Sequence, residues 1–598
     1  MHFFLIVYSC SHRLFMKQFF TYVAATVVGL IIATVISAIA SMFMLVVMLV
    51  MSESAATPNI GQHSILKLDL SGTLSERHQG MTLVQQMQGN KDQSKGLDDI
   101  VASIRYASND DRIEGIYIDC NGMSGGIASL QYIRQTLADF KKSGKWIAAY
   151  GDAYTQGNYY IASLADSIWL NPMGAVEVTG MGGRFMFFKG LLDKLGIEMQ
   201  VLKVGTYKSA VEPYVLTAPS EANIKQTREY ITPIWQNVAG DIAEARGVEL
   251  EVVNSWADSV LMTQNPHTFP KRNIVTGLLY RHEAESMLKE MSGIDNDDNL
   301  RFVTPVEYMK TVKPHRYGNK IALLYAEGEI VDNGENGIVG ADMAPMIMDL
   351  AENDDIDALV LRVNSPGGSA FASEQIWEAL QQFKAKGKPF YVSMGDVAAS
   401  GGYYISCGAD KIFCQPTTIT GSIGIFGLIP NVKGFMSDKL GVTTSLVATN
   451  PNSAISVFEP MTPFQKNRMQ AMIERGYETF IGRCAEGRHV TPDSINAIGQ
   501  GRVWDGQTAL KIGLVDELGN LEQCIEALAM DNEWVNYQIE VYPDANLSWW
   551  EKALLESAQV KNSIVKNELG DAYPYYNAVK RVKEMSPVQC LAPELVME

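Results

Sequence analysis

Ala398-Ala399-Ser400-Gly401-Gly402-Tyr403-Tyr404 has a counterpart in the first half of the chain, Tyr154-Thr155-Gln156-Gly157-Asn158-Tyr159-Tyr160, at an offset of 400 − 156 = 244 positions. Each stretch follows an apolar, strand-like run, Pro389 to Met394 in one half and Trp146 to Tyr150 in the other. The correspondence continues outward. Ile65 to Gly72 resembles Ile321 to Gly328, each a short apolar run ending at glycine. Ile116 to Asp119 leads into Ser124-Gly125-Gly126, as Ala358 to Val363 leads into Ser365-Pro366-Gly367-Gly368. Asp193-Lys194-Leu195-Gly196 returns as Asp438-Lys439-Leu440-Gly441. A period this long indicates a duplicated domain, not a solenoid of short repeats. Within each copy, apolar strands alternate with helical segments, the βαβ rhythm of a mostly parallel sheet covered by helices. Ile376, Leu380 and Phe383 recur at helical spacing after Gly368, so a helix is expected over 371–386. Longer helices are expected from Thr217 to Arg246 and from Met461 to Glu486. The copies meet between 310 and 318, so the reading assigns 52–315 and 316–540 to the two repeats and 541–598 to a tail.

A chain of 598 residues is too long for one ordinary core, and 47% hydrophobic with 19% charged residues is a folded composition. Net charge is −18, which argues against nucleic acid as a partner because phosphate binding needs basic surface. Tyr22 to Met51 holds no charged residue, and about 20 apolar residues suffice to cross a bilayer. This run exceeds the roughly 7–15-residue apolar core of a cleavable signal peptide, so one uncleaved anchor over 22–51 is expected. Arg13 and Lys17 precede it, and the next basic residue is Lys67. The positive-inside rule then leaves 1–21 as a short cytoplasmic tail and puts the bulk of the chain across the membrane. Met16-Lys17 reads as an alternative start. In the tail, Trp549-Trp550 and Lys580-Arg581-Val582-Lys583 suit contact with a membrane surface, an oligomer neighbour or another helix. The seven cysteines have no zinc-ligand or redox-pair spacing and are expected to be buried thiols.

The asymmetry between copies carries the chemistry. Ser400 stands where the first copy has Gln156. Lys208, in Gly205-Thr206-Tyr207-Lys208-Ser209-Ala210, stands where the second copy has Asn452 at the same offset. One half holds a candidate nucleophile and the other a candidate base. None of the eight histidines falls in the repeated motifs, so a Ser-His-Asp arrangement is not supported. A lysine serves as base if burial lowers its pKa from about 10.4 towards neutrality. Acyl transfer also needs donors for a developing oxyanion. Gly368, favoured over Gly367, and Gly401 beside the serine are the candidates, the first at an expected helix start. Ser422, in Thr420-Gly421-Ser422-Ile423-Gly424, has no serine counterpart in Thr179-Gly180-Met181-Gly182-Gly183 and suits orientation of the lysine. Gln156 and Asn452 are expected to be catalytically silent. No cofactor or metal site is expected.

Asn364-Ser365-Pro366-Gly367-Gly368, Ala399-Ser400-Gly401-Gly402-Tyr403, Gly421-Ser422-Ile423-Gly424 and Tyr207-Lys208-Ser209-Ala210 together resemble the signal peptide peptidase A (protease IV) family in its long two-repeat form. The resemblance runs over roughly 60–540 plus the anchor. It implies an α/β fold of two tandem crotonase-like (Clp protease-like) repeats after a transmembrane helix, and a serine endopeptidase with a Ser-Lys dyad. By the same resemblance Ser400 is the nucleophile, Lys208 the general base, Gly368 and Gly401 the oxyanion hole, and Ser422 the lysine's partner. It further implies a homo-oligomer, a tetramer, in the bacterial inner membrane with its catalytic part facing the periplasm. Peptides left from cleaved signal sequences would be its substrates. A coenzyme A-binding crotonase-type hydratase and a non-catalytic scaffold are the rival readings. The first normally relies on carboxylates, whereas this chain offers serine and lysine.

Overall fold

The computed structural model describes residues 21–23, 25–42, 44, 60–78, 94–295, 297–313, 315–334, 337–453, 455–543, 588–592 and 596–597. Residues 1–20 and 45–51, Trp549-Trp550 and the basic segment 580–583 therefore lie outside the described residues. The chain divides into two units, Met1–Asn59 and Ile60–Glu598. In the first, helix α1 (Thr21–Met42) has a mean hydropathy of 2.5 and is long and apolar enough to cross a membrane.

The second unit opens with a seven-stranded sheet in which every pairing is parallel. Its central strands are β1 (Ser64–Ser75), β2 (Ile113–Ser124), β3 (Trp146–Tyr154) and β4 (Ser167–Val176), adjacent in that order. Helices α2 (Leu97–Ser108), α3 (Ile127–Lys141) and α4 (Gln156–Ala162) supply the crossovers. Strands such as β2 are buried on both faces, which is why they read as continuous apolar runs and not as alternation. Strand β5 (Glu198–Lys203) leaves this sheet and pairs elsewhere, and helix α5 (Glu221–Arg246) follows it.

The second half repeats the plan. β6 (Asn319–Glu327), β7 (Ala358–Ser365), β9 (Phe390–Ala399) and β10 (Ile419–Gly421) are successive neighbours in an eight-stranded sheet. Between β7 and β9 come the short strand β8 (Gly367–Ser369) and helix α6 (Ala370–Ala385), and α7 (Gly401–Ser406) follows β9. After β11 (Phe426–Asn431) comes helix α8 (Pro463–Gly487). Both long helices start a few residues later than expected, because their caps fix them: Ser220 accepts from Asn223 N–H, and Thr462 forms a capping box with Gln465. The helix expected over 371–386 is found at Ala370–Ala385, and Gly367-Gly368 lie just before it in β8. Their φ values of +97° and +155° are incompatible with a helix, and the helix begins only after the Ser369 cap. Six cysteines among the described residues are buried free thiols.

A third, six-stranded sheet joins the halves. β5, from the first half, pairs antiparallel with β11 of the second, Lys203 opposite Phe426 and Glu198 opposite Asn431. β8 and β12 (Val588–Leu591), the latter from the tail, complete the centre of this sheet. The joint is reinforced by a buried ion pair. Glu76, just beyond β1, takes Arg362 of β7 at 2.9 Å, both side chains 2% exposed. Arg362 also donates to Ser393 Oγ and the Met394 carbonyl, and Asn364 donates to Glu76 at 2.9 Å. Asp396, after β9's central run, accepts Ser129 N–H and Oγ–H of α3. Removing one partner of a buried pair leaves an uncompensated charge, so Arg362→Leu is expected to cost about 3–5 kcal/mol in urea unfolding of the detergent-solubilised protein. A loss under about 1 kcal/mol would show that Glu76 relaxes into water and that the pair does not hold the joint.

Candidate active site

Ser400 sits at the hinge between β9 and α7 with φ +56° and ψ −115°, a conformation that non-glycine residues rarely adopt. The surroundings hold it there. Its N–H donates to the Gly421 carbonyl at 2.8 Å, and its carbonyl accepts from Tyr404 N–H at 2.8 Å. Ser422, at φ +50°, is pinned likewise by its N–H to the Arg502 carbonyl at 2.7 Å. The glycines after the serine are a packing requirement. A Cβ on Gly401 would lie 2.7 Å from Ser373 Oγ, and one on Gly402 would lie 2.7 Å from the Ser365 carbonyl. Larger residues would push α7 off β8 and the serine out of its turn.

Lys208 arrives from the other half. β5 brings the first-half chain alongside β11, and five residues later Lys208 opens the short helical turn Ser209–Val211. Its backbone is clamped: Tyr207 N–H donates to the Gln500 carbonyl at 3.0 Å, and Gln226 of α5 donates to the Tyr207 carbonyl at 3.0 Å and to Ser209 Oγ at 3.0 Å. The side chain is fully buried. Nζ lies 2.7 Å from Ser400 Oγ and donates to both the carbonyl oxygen and Oγ of Ser422, each at 3.1 Å. No carboxylate touches it, so burial lowers its pKa from 10.5 to about 7, opposed by the Cys590 thiol. A neutral amine has two N–H bonds and one lone pair. With both N–H bonds directed to Ser422, the lone pair faces the Ser400 hydroxyl.

The candidate oxyanion donors lie beside this pair. Gly367 N–H is committed to Ser365 Oγ at 3.1 Å, which leaves Gly368 as the donor at that turn. A Cβ on Gly367 would fall 2.6 Å from Gly401 N, so β8 abuts the start of α7 and brings the two candidate N–H groups to one place. Gly368 lies in strand β8 just before α6, and Gly401 opens α7. Gln156, in the position matching Ser400, accepts Thr179 and Gly180 N–H at 2.9 Å each, which is a loop-bracing role. Asn452 lies on an exposed segment and accepts from Gln465.

Gly501 and Cys590 escaped the sequence reading, and Gly424 entered it only as a member of the Thr420–Gly424 motif with no role of its own. Gly501 and Gly424 crowd Lys208, a Cβ on Gly501 falling 2.6 Å from the Lys208 N and one on Gly424 falling 3.2 Å from its Cδ. Gly499-Gln500-Gly501 was the available signal for the first. Cys590 had none, being an isolated cysteine far along the chain.

With this geometry in place, comparison with known proteins is direct. A model of peptidase family S49 matches residues 139–266 and 382–536, and a Clp protease model matches 318–419. Protease 4 of Salmonella typhi is 37% identical over 80% of this chain and 80% of its own length. Protease 4 of Haemophilus influenzae is 33% identical over 75% of this chain and 76% of its own. The chloroplastic serine protease SPPA of Arabidopsis thaliana is 27% identical over 77% of this chain and 68% of its own. The two S49 segments fall one in each half, in keeping with a tandem Clp protease-like α/β fold.

Gly501→Ala tests the clamp on Lys208. Its φ of +82° and the 2.6 Å clash force the lysine backbone to move. A displacement near 1 Å costs about a hundredfold in rate, so hydrolysis of a nitrophenyl ester is expected to fall by that factor. A change within threefold would mean that the lysine position is not set from this side.

Proposed function

The chain belongs to peptidase family S49 and is a serine endopeptidase, and from that premise we propose that Ser400 and Lys208 form its catalytic dyad. The observation that carries the reading is the 2.7 Å approach of Lys208 Nζ to Ser400 Oγ inside a site without a carboxylate on the lysine. Neutral Lys208 takes the Ser400 proton as Oγ attacks the scissile carbonyl carbon. The N–H groups of Gly368 and Gly401 receive the oxyanion. Lys208 then gives its proton to the leaving amine, and the serine ester is hydrolysed by a water that Lys208 deprotonates. Ser422 keeps the amine turned towards Ser400 throughout.

Peptides are the substrates of this enzyme class. The finer assignment is to apolar peptides, in particular remnants of cleaved signal sequences, and it rests on tethering. Helix α1 suits a single membrane anchor, and the Arg13 and Lys17 flank favours an inner-membrane protein with its catalytic part in the periplasm. The division into repeats at 52–315 and 316–540 fits a duplication in which each copy kept half of the dyad. A homo-oligomer follows from the family resemblance.

Ser400→Ala and Lys208→Ala are each expected to lower peptide hydrolysis by about 10⁴-fold or more with the fold intact, as removal of a nucleophile or base does elsewhere. Gln156→Ala and Asn452→Ala should stay within about threefold when rates are compared per folded molecule by assay and circular dichroism. Substantial activity in the Lys208 variant would remove the dyad. The pH profile gives an independent check. Below a pKa of about 7 the lysine is an ammonium without a lone pair. kcat/KM is therefore expected to rise about tenfold per pH unit up to about 7 and level off above it. A profile that keeps rising to pH 10 would contradict a desolvated lysine.

A further inference from the structure

Eight non-glycine residues among those described have positive φ. Three of them, Ser400, Ser422 and Gln500, lie at the dyad, and the chemistry above uses only the first two. A left-handed glutamine is strained, and strain of this kind persists where neighbours over-determine it. Gln500 has φ +55° and sits in the turn between helix α9 (Pro492–Ile498) and the strand Val503–Asp505. Its carbonyl accepts Tyr207 N–H at 3.0 Å, one residue before Lys208. The lysine segment comes close there: a Cβ on Gly205 would fall 2.3 Å from that carbonyl oxygen. The next residue, Gly501, donates its N–H to the Ile423 carbonyl at 2.7 Å, and the Arg502 carbonyl accepts Ser422 N–H at 2.7 Å. One turn thus holds the lysine segment by its first residue and the Ser422 segment by the next two. Its conformation sets the distance from Lys208 Nζ to the oxygens of Ser422.

Tyr477, in the middle of α8, braces that turn. The side chain is buried, and its hydroxyl accepts Gln500 N–H at 3.1 Å while donating to Asn496 Oδ1 at 2.7 Å. A Cβ on Gly499 would fall 3.3 Å from the hydroxyl oxygen, so the turn packs directly on it. Return of Gln500 to negative φ would rotate its carbonyl relative to its N–H. The bond to Tyr477 at one end and the bond from Tyr207 at the other therefore hold the strained conformer between them.

We propose that Tyr477 is a positioning residue of the dyad: its hydroxyl keeps Gln500 left-handed, and Gln500 in turn seats Lys208 against Ser400 and Ser422. The inference rests on the dyad proposed above. Lys208 is faced by the hydroxyls of Ser400 and Ser422 and by the Cys590 thiol, and Tyr477 by Asn496, Gln500 and the Cys484 thiol. None of these is a carboxylate, so the amine's basicity follows its hydration. Loss of the Tyr477 hydroxyl loosens the lysine segment and lets water reach the amine, which favours the ammonium form and raises its pKa. Less of the enzyme then carries the neutral base at pH 7.

The test is the pH profile of kcat/KM for an apolar fluorogenic peptide, measured on the detergent-solubilised full chain as wild type, Tyr477→Phe, Gln500→Gly and the double variant. Tyr477→Phe keeps the ring and removes only the hydroxyl. Its ascending limb is expected about one pH unit above the wild-type value of about 7, which lowers kcat/KM about fivefold at pH 7 and leaves it near wild type above about pH 9. Glycine adopts positive φ without strain, so in the Gln500→Gly background the same change is expected to move the limb by no more than about 0.2 units. A wild-type limb near pH 7 that Tyr477→Phe leaves in place would overturn the positioning role and leave the dyad standing. An equal shift in both backgrounds would overturn it too, because Tyr477 would then act by another route than Gln500. If Tyr477→Phe does not fold, Asn496→Ala takes its place: it strips the hydroxyl of its acceptor at a half-buried position, and an unmoved limb there is equally decisive. A wild-type profile without a limb near pH 7 would overturn both readings.

Discussion

Desolvation of one amine is the constraint on which the site depends. A lysine in water stays charged and cannot take a proton at neutral pH. Here Lys208 is enclosed by both halves of the chain, touches no carboxylate, and is pulled down to about 7 by burial alone. The cost of burying an unpaired polar group is offset by the three oxygens around it, two from Ser422 and one from Ser400. Neither half could build this enclosure by itself, because the lysine follows β5 and the oxygens sit on loops after β9 and β10.

That explains why so much of the fold serves to lock the halves together. The antiparallel pairing of β5 with β11 delivers the lysine, and the Glu76–Arg362 pair fastens β1 to β7. Asn364, three residues before Gly367, shares Glu76 and also accepts Val397 N–H, so the joint reaches both candidate oxyanion loops. The strained φ values of Ser400 and Ser422 persist because each residue is bonded to backbone on a neighbouring segment. Strain, interface and desolvation are thus parts of one construction.

Much of this was legible in the sequence because duplication supplies an internal control. The offset of Ser400 against Gln156 and of Lys208 against Asn452 singled out two residues some two hundred positions apart, and the structure brings them into contact. The alternating strands and helices were legible for the same reason, since parallel strands covered on both faces read as unbroken apolar runs. What was not legible depends on register between distant segments. The pairing of β5 with β11 leaves no local pattern. Gly367-Gly368 read as the turn before a helix, yet their positive φ values also serve a short strand flanked on both sides. Cys590 has no repeat partner and no motif, so only the fold places it beside Lys208.

The central claim is that Ser400 is activated by a neutral Lys208 from the other half. Its most direct test is labelling with a serine-reactive fluorophosphonate, mapped by peptide mass spectrometry in wild type and in Lys208→Met. The account predicts modification at Ser400 alone, with a rate that rises through pH 7 in the wild type and is lost in the variant. Labelling of another serine, or of Ser400 at an unchanged rate without the lysine, would contradict it.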